Sequence, residues 1–154
     1  MFKLYSKGCE YAIRALAHVA AQEDVERFQA HAICEAVGIP ESFTRKVFQA
    51  LVQGGFLTAV RGPGGGYRVA GSLQGVSILD VIHAVDGPDT YSGCIMGMPE
   101  CSGKTPCPLH RLWAGVKGEL LQQLSEKKMA DLATVLRARR LKSDSVKKAP
   151  AREK

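Results

Sequence analysis

The chain has 154 residues, of which 45% are hydrophobic, and its formal net charge is +6. This length and apolar content suit one domain with a buried core, and no apolar run approaches the roughly 20 residues that cross a bilayer, which argues against a membrane protein. Because the N-terminus lacks the pattern of a signal peptide, we expect a cytoplasmic protein whose five cysteines are not structural disulfides.

The positive charge is concentrated at one end of the chain. Residues 137–154 hold eight Lys or Arg against two acidic residues, which accounts for the whole net charge of +6. The tail at 138–154 is rich in Lys, Ser and Ala, and it is predicted to be disordered. Any argument for DNA binding therefore has to rest on local patches of basic residues.

Residues 1–72 have the element order of a winged helix-turn-helix domain. Apolar residues at helical spacing predict three helices, at 6–22, 28–37 and 41–54. The turn Gly38-Ile39-Pro40 separates the second helix from the third, as in a helix-turn-helix. Two predicted strands, 56–60 and 66–70, then flank a basic, glycine-rich turn that is typical of a wing.

The third helix and the wing carry side chains suited to DNA recognition. Hydroxyl groups and cations at the start of a recognition helix can reach bases and phosphates, and here they are Ser42, Thr44, Arg45 and Lys46. A glycine-rich wing can approach the DNA backbone closely, and its candidates are Arg61, Gly62, Gly64, Gly65, Tyr67 and Arg68. The alternatives are a solvated helix face and a loop without DNA contacts, but the two features together favour double-stranded DNA.

Two further helical stretches follow the wing. Residues 73–90 contain a short, buried connecting helix, and residues 109–137 form a long amphipathic helix whose apolar positions recur three or four residues apart. A long amphipathic helix needs a partner surface, and the most economical one is a second copy of itself. The overall expectation is a mainly α fold with a small β-hairpin and a dimerisation helix.

Three cysteines and a histidine lie close together within residues 91–110. Six residues separate Cys94 from Cys101, five separate Cys101 from Cys107, and His110 follows shortly after. Glycine, proline and serine surround them, which predicts a loop able to bend around a bound group. These gaps are longer than is usual in structural zinc sites, which favours an iron–sulfur cluster. Zinc bound by the same residues and a cluster-free thiol redox switch are the alternatives.

These segments together resemble the winged-helix iron–sulfur transcription regulators typified by IscR and NsrR. The resemblance covers residues 1 to about 136, and it is carried by residues 5–16, by the wing at 60–68 and by the three spaced cysteines. It implies a homodimer that places a recognition helix and a wing of each subunit on one half of a palindromic operator. It also implies that Cys94, Cys101 and Cys107 are ligands of an iron–sulfur cluster.

The resemblance leaves the fourth ligand and the cluster type open. IscR-like proteins use a histidine soon after the third cysteine, matched here by His110, whereas NsrR-like proteins use a carboxylate from the partner's first helix, matched by Glu10. We favour His110 because its spacing from the third cysteine, Cys107, is preserved. The first cysteine gap is one residue longer than in those proteins, so 2Fe-2S and 4Fe-4S clusters both stay open. Arg45 and Lys46 differ from the residues at the corresponding positions of the IscR recognition helix, so the operator sequence of IscR is not inferred for this protein.

An enzyme is the main rival from a different functional class. No nucleophile–base pair, paired carboxylates or nucleotide-binding motif accompanies the cysteines, so we expect no catalytic residues. We therefore expect a regulator whose operator affinity responds to iron–sulfur status, redox state or nitric oxide through its cluster.

Overall fold

The computed structural model describes residues 3–22, 25–99 and 103–147, the last seven of these by their backbone alone. In this part of the chain the elements are α1 (Lys7–Ala21), α2 (Ala30–Val37), α3 (Glu41–Gln53), β1 (Leu57–Val60), β2 (Gly66–Val69), α4 (Ile78–Asp86), α5 (His110–Glu126) and α6 (Met129–Lys147). The prediction of a mainly helical winged-helix fold with a small hairpin is confirmed. None of the described helices has the length and hydropathy needed to span a membrane.

Helix α1 lies at the centre of the fold and packs against α2, α3, α4 and α6. The side chain of Ser6 caps it by accepting a hydrogen bond from the backbone N–H of Cys9 at 3.0 Å. The largest fully buried side chains of the surrounding core are Phe48, Leu16, Leu51, Ile82 and Met129. Each stabilises the fold by about 1.5–3 kcal/mol relative to an exposed position, so these helices form one unit around α1.

The turn between α2 and α3 depends on a left-handed glycine. Gly38 has a φ of 66°, which side chains with a Cβ rarely adopt, and the N–H of Ile39 donates to the carbonyl of Cys34 at 2.8 Å. Arg14 of α1 donates a hydrogen bond to the carbonyl of Val37. The end of α2, and therefore the start of α3, is held by α1.

The wing is an antiparallel hairpin that runs from Leu57 opposite Val69 to Val60 opposite Gly66. A Cβ on Gly65 would lie 2.6 Å from the carbonyl oxygen of Val60, so this close approach requires glycine. Phe28 forms an additional bridge, because its N–H and carbonyl each bond to the backbone of Tyr67 at 2.9 Å. Residue 28, which we predicted to begin the second helix, is instead extended and belongs to the wing.

The long helix predicted at 109–137 is two helices in the structure. Lys127 has an extended backbone, and an antiparallel bridge joins Lys128 to Ser77 at the start of α4. The N–H of Ile78 donates to the carbonyl of Lys127 at 2.9 Å, and the N–H of Met129 donates to that of Val76 at 2.8 Å. Because this bridge uses backbone groups that a continuous helix would keep, the chain changes direction between α5 and α6.

Helix α6 packs within its own subunit, unlike a free dimerisation helix. Met129 and Ala133 are buried, and Arg137 donates hydrogen bonds to the carbonyls of Ala20 and Ala21 at the end of α1. The helix continues to Lys147 and so extends into the tail that we predicted to be disordered from residue 138. Residues 148–154 of that tail lie outside the described part of the chain.

Candidate nucleic-acid interface and cysteine loop

Helix α3 presents its polar side to solvent and its apolar side to the core. Ser42, Arg45 and Lys46 are exposed and Thr44 is half-buried. Val47, Phe48 and Leu51 are buried on the other side of the same helix. The four candidate base-reading residues therefore lie on the accessible part of α3, at its N-terminal end, where a recognition helix contacts base edges.

The candidate DNA-binding residues of the wing differ in their exposure to solvent. Arg61, Gly62, Gly64 and Arg68 are exposed, whereas Gly65 is half-buried. Tyr67 is half-buried as well, and its ring centroid lies 4.9 Å from that of Phe48 on α3. The ring of Tyr67 thus joins the wing to the recognition helix, while the charged residues of the wing stay open to solvent.

Two residues that the sequence analysis missed hold the tip of the wing. Arg27 donates a hydrogen bond from Nη1 to the carbonyl of Gly64 at 2.7 Å, and the amide of Gln29 donates to the carbonyl of Gly65. They flank Phe28, so the stretch alternates polar, apolar and polar side chains, as a strand does. That alternation was the signal available in the sequence, and it was too short to stand out beside the helices.

Arg27, Arg61 and Arg68 line one cavity of about 730 Å³ between the segment around Phe28 and the wing. Glu26 is the acidic residue among those that line it. Guanidinium groups pair well with phosphate oxygens, and they carry a positive charge at every physiological pH. This surface, together with the exposed side of α3, has the chemistry that a DNA backbone requires.

The first residues of the cysteine loop between α4 and α5 are attached to other parts of the fold at two points. The hydroxyl of Tyr91 donates to the carbonyl of Leu4 at 2.7 Å, and the indole N–H of Trp113 donates to the carbonyl of Gly93 at 2.9 Å. The backbone N–H and hydroxyl of Ser6 both donate to the carboxylate of Asp86 at the end of α4. The residue before Cys94 is therefore tied to α5, and the base of the loop is tied to the start of α1.

The structure brings two of the four expected ligand residues into one turn. The N–H of His110, the first residue of α5, donates to the carbonyl of Cys107 at 3.0 Å. Cys94 and Cys107 are half-buried thiols, whereas Cys101 lies outside the described residues. Among the residues that are described, no three His, Cys, Asp or Glu side chains are grouped closely enough to hold a metal ion.

Glu10, the alternative ligand residue, is already paired within its own subunit. Its carboxylate accepts from Lys7 at 2.8 Å and lies 3.6 Å from the guanidinium of Arg14. The hydrogen bond from Lys7 and the neighbouring positive charges lower the pKa of this carboxyl group. Glu10 is therefore an anion at neutral pH, and binding a metal would require it to leave these cations.

The two cysteines outside the loop have a different environment. Cys9 is fully buried and Cys34 is 3% exposed. Burial, reinforced by the charge of Asp86, raises the pKa of the Cys9 thiol to about 12, so the group stays protonated at physiological pH. Since the thiolate is the form that binds metals and reacts, Cys9 is a packing residue.

Comparison with known proteins gives a consistent result. The model of the Rrf2 family, described as iron-dependent transcriptional regulators, matches residues 5–135. The regulator IscR of Vibrio parahaemolyticus is 34% identical over 132 residues, which cover 86% of this chain and 77% of that protein. IscR of Escherichia coli O1:K1 is 32% identical over 130 residues, which cover 84% of this chain and 79% of that protein.

Solved structures show the same fold at lower identity. CymR, the global cysteine regulator of B. subtilis, superposes with a TM-score of 0.70 at 18% identity, covering 88% of this chain and 98% of that one. IscR of T. potens superposes with a TM-score of 0.65 at 19% identity, covering 97% of this chain and 93% of that one. The element order described above is therefore shared by regulators whose sequences have diverged widely.

Proposed function

The chain belongs to the Rrf2 family of iron-dependent transcriptional regulators and is a DNA-binding regulator, not an enzyme; from this premise we propose that an iron–sulfur cluster in its cysteine loop controls its affinity for DNA. The observation that carries the proposal is the attachment of this loop. It is bonded to α5 through Trp113 and to the start of the winged domain through Tyr91.

We assign DNA contact to the exposed side of α3 and to the wing. Ser42, Thr44, Arg45 and Lys46 would enter the major groove, where their hydroxyl groups and cations meet base edges and phosphates. Arg61 and Arg68 would contact the backbone beside the glycines of the wing. Since α3 and the wing are joined through Tyr67 and Phe48, both would reach the DNA as one rigid surface.

We assign the dimer contact to α5. Leu112 and Val116 lie one turn apart on this helix and are 62% and 51% exposed in the single subunit. Leu109 precedes them by one turn and is 37% exposed. An exposed apolar stripe of this kind is stabilised by contact with another apolar surface. In a two-fold symmetric dimer, the same stripe of the second copy would provide that surface. Two winged domains held in this way fit a palindromic operator.

The donor set of the loop fits an iron–sulfur cluster. Thiolates are the soft ligands that such clusters prefer, and Cys94, Cys101 and Cys107 would supply three of them. His110 would be the fourth ligand, because it shares a turn with Cys107, while Glu10 of the partner subunit is the alternative. A bound cluster, of the 2Fe-2S or 4Fe-4S type, would supply a centre that changes with iron supply, redox state or nitric oxide.

The attachments of the loop explain how its state can reach the DNA. Trp113 holds the loop to α5, while Tyr91 and Asp86 hold its base to residues that precede and cap α1. Ordering or releasing the loop would therefore change how the winged domain sits on the dimer helix. Coupling free energies between two sites are typically about 1–3 kcal/mol, which corresponds to about a five- to 150-fold change in operator affinity.

Anaerobic purification followed by native mass spectrometry tests this proposal, because oligomeric state and cluster mass are read together. We expect a dimer that carries two-iron or four-iron increments. Cys101→Ala should lose the cluster and change operator affinity at least about fivefold, whereas the matched control Cys34→Ala, which removes a buried thiol elsewhere, should retain both properties. Unchanged cluster content and affinity in Cys101→Ala would contradict the proposal.

Two further outcomes separate the alternatives. A colourless dimer that contains zinc would assign the loop to a structural metal site, and a metal-free dimer with oxidation-sensitive DNA binding would assign it to a thiol switch. His110→Ala and Glu10→Gln then identify the fourth ligand residue, because only the variant that removes a ligand should shift the absorption spectrum of the cluster.

A further inference from the structure

A groove between α1, α2 and α6 lies apart from both the wing and the cysteine loop. Its volume is about 620 Å³. Much of its lining is apolar, contributed by Ile13, Ala17, Val37, Leu132, Val135 and Leu136. Val135 is 47% exposed there although it faces other apolar side chains. The groove therefore offers an apolar surface of the size that small ligands use.

The charged residues among the described lining of this groove all have the same sign. Arg14, Arg139 and Arg140 line it, and none of the described residues that line it is acidic. Glu10 is paired with Arg14 at 3.6 Å but does not line the groove. Arginines beside an apolar floor complement a molecule that has a negative group at one end and an apolar body at the other.

A buried histidine lies at the polar end of the groove. His18 is 7% exposed, its imidazole lies 3.1 Å from the amide of Gln22, and the guanidinium of Arg140 approaches it to 3.3 Å. Burial, followed by the charge of Arg140, lowers the pKa of His18, so this ring is neutral at physiological pH. The positive charge of the groove comes from its arginines, and His18 contributes a neutral polar group.

We propose that this groove binds a small organic anion with an apolar body, such as an aromatic carboxylate. Arg139 and Arg140 pair with the carboxylate, while the apolar body lies against Val37, Leu132 and Leu136. A DNA phosphate would make no use of the apolar floor, which is why the observations favour an organic ligand. Because this site uses neither the cysteines nor the wing, it stands independently of the cluster proposed above.

The groove also contacts the segment that leads into the recognition helix. Arg14 lines it and donates a hydrogen bond to the carbonyl of Val37, the last residue of α2. Gly38 follows directly and begins the turn to α3. A ligand in the groove would therefore lie beside the bond that holds this turn.

Isothermal titration calorimetry on the full chain tests the site with 1-naphthaleneacetate, and the neutral 1-naphthaleneacetamide serves as the matched ligand control. We expect the carboxylate to bind with one site per chain. The amide, which has the same shape without the charge, should bind at least about tenfold more weakly. Arg139→Gln and Arg140→Gln should each weaken binding of the carboxylate by about tenfold.

Lys127→Gln is the matched protein control, because it removes an exposed cation that does not line the groove. Its affinity for 1-naphthaleneacetate should equal that of the unmodified protein. No binding of the carboxylate at millimolar concentration, equal binding of the amide, or unchanged affinity in both arginine variants would each overturn the proposal. Iron and sulfide content, measured on the same samples, reports separately on the cluster.

Discussion

The same residue type has different chemistry at different places in this chain. Cys9 is fully buried beside Asp86, whereas Cys94 and Cys107 are half-buried in the loop between α4 and α5. A cysteine reacts as its thiolate, and only where a reagent can reach the sulfur. Cys9 is buried and protonated, so it meets neither condition. Burial therefore separates the structural cysteines from the cysteines of the loop.

This difference predicts a pattern of alkylation. In metal-free protein at pH 8, iodoacetamide should label Cys94 and Cys107 and spare Cys9. An ordinary cysteine thiol has a pKa of 9.0, whereas the pKa of Cys9 is about 12. The thiolate fraction of Cys9 is therefore about a thousandfold smaller than that of an ordinary thiol, before its burial is considered. Peptide mass mapping over a time course measures the rates. Labelling of Cys9 as fast as that of Cys94 in the folded protein would show that this assignment of environments is wrong.

At the scale of the elements, the wing owes its position to the short segment around Phe28, which precedes α2 and bridges to the wing. Phe28 bonds to both backbone groups of Tyr67, and the side chains of Arg27 and Gln29 bond to the carbonyls of Gly64 and Gly65. A glycine-rich turn loses much conformational entropy when it is ordered. Because these bonds order the turn in the free protein, less conformational entropy is lost when the wing binds DNA. We infer that Gln29 is a positioning residue for the wing.

Gln29→Ala should weaken operator binding by about two- to tenfold, which is the loss expected for one hydrogen bond. Because Gln29 is uncharged, the dependence of the affinity on salt concentration should not change. Arg61→Ala is the comparison, since loss of one phosphate contact should reduce the salt slope by about 1. Fluorescence anisotropy at several salt concentrations, with an operator selected from random DNA, measures both quantities. An unchanged operator affinity in Gln29→Ala would show that Gln29 does not position the wing for DNA binding.

At the scale of the whole molecule, the two helices after the loop have different roles. Helix α6 is covered by α1, and Arg137 fixes it to the end of that helix. Helix α5 leaves Leu112 and Val116 exposed, so it is the helix that needs a partner from outside the subunit. We therefore propose that dimerisation uses α5, although the sequence predicted one continuous helix over α5 and α6.

Leu112→Asp and Val116→Asp should each produce a folded monomer. Both side chains are more than half exposed in the subunit, so the new charge is costly only when an interface buries it. Val135→Asp is the control, because it places the same charge on an exposed apolar position of α6. Size-exclusion chromatography with light scattering gives the mass, and thermal unfolding confirms the fold. Dimers of unchanged stability in both α5 variants would place the interface elsewhere.

The sequence by itself determined the features that depend on neighbours along the chain. The turn at Gly38 and the hairpin around residues 61–65 each follow from local residue chemistry, and the structure shows both. The class of protein was also predicted correctly, from the helix-turn-helix with its wing and from the resemblance to the iron–sulfur regulators. Local rules suffice here because a turn or a hairpin is formed by residues only a few positions apart.

Only the tertiary structure decided the features that join distant parts of the chain. The bridge between Ser77 and Lys128 ends α5, the bridge between Phe28 and Tyr67 places the wing, and α6 folds back on α1 to form the arginine-lined groove. None of these pairings leaves a periodic pattern long enough to identify it in the sequence, because backbone hydrogen bonds can form between almost any residues that packing brings together. The burial of Met129 and Ala133 as α6 packs on α1 gives a free-energy gain that exists only in the assembled core.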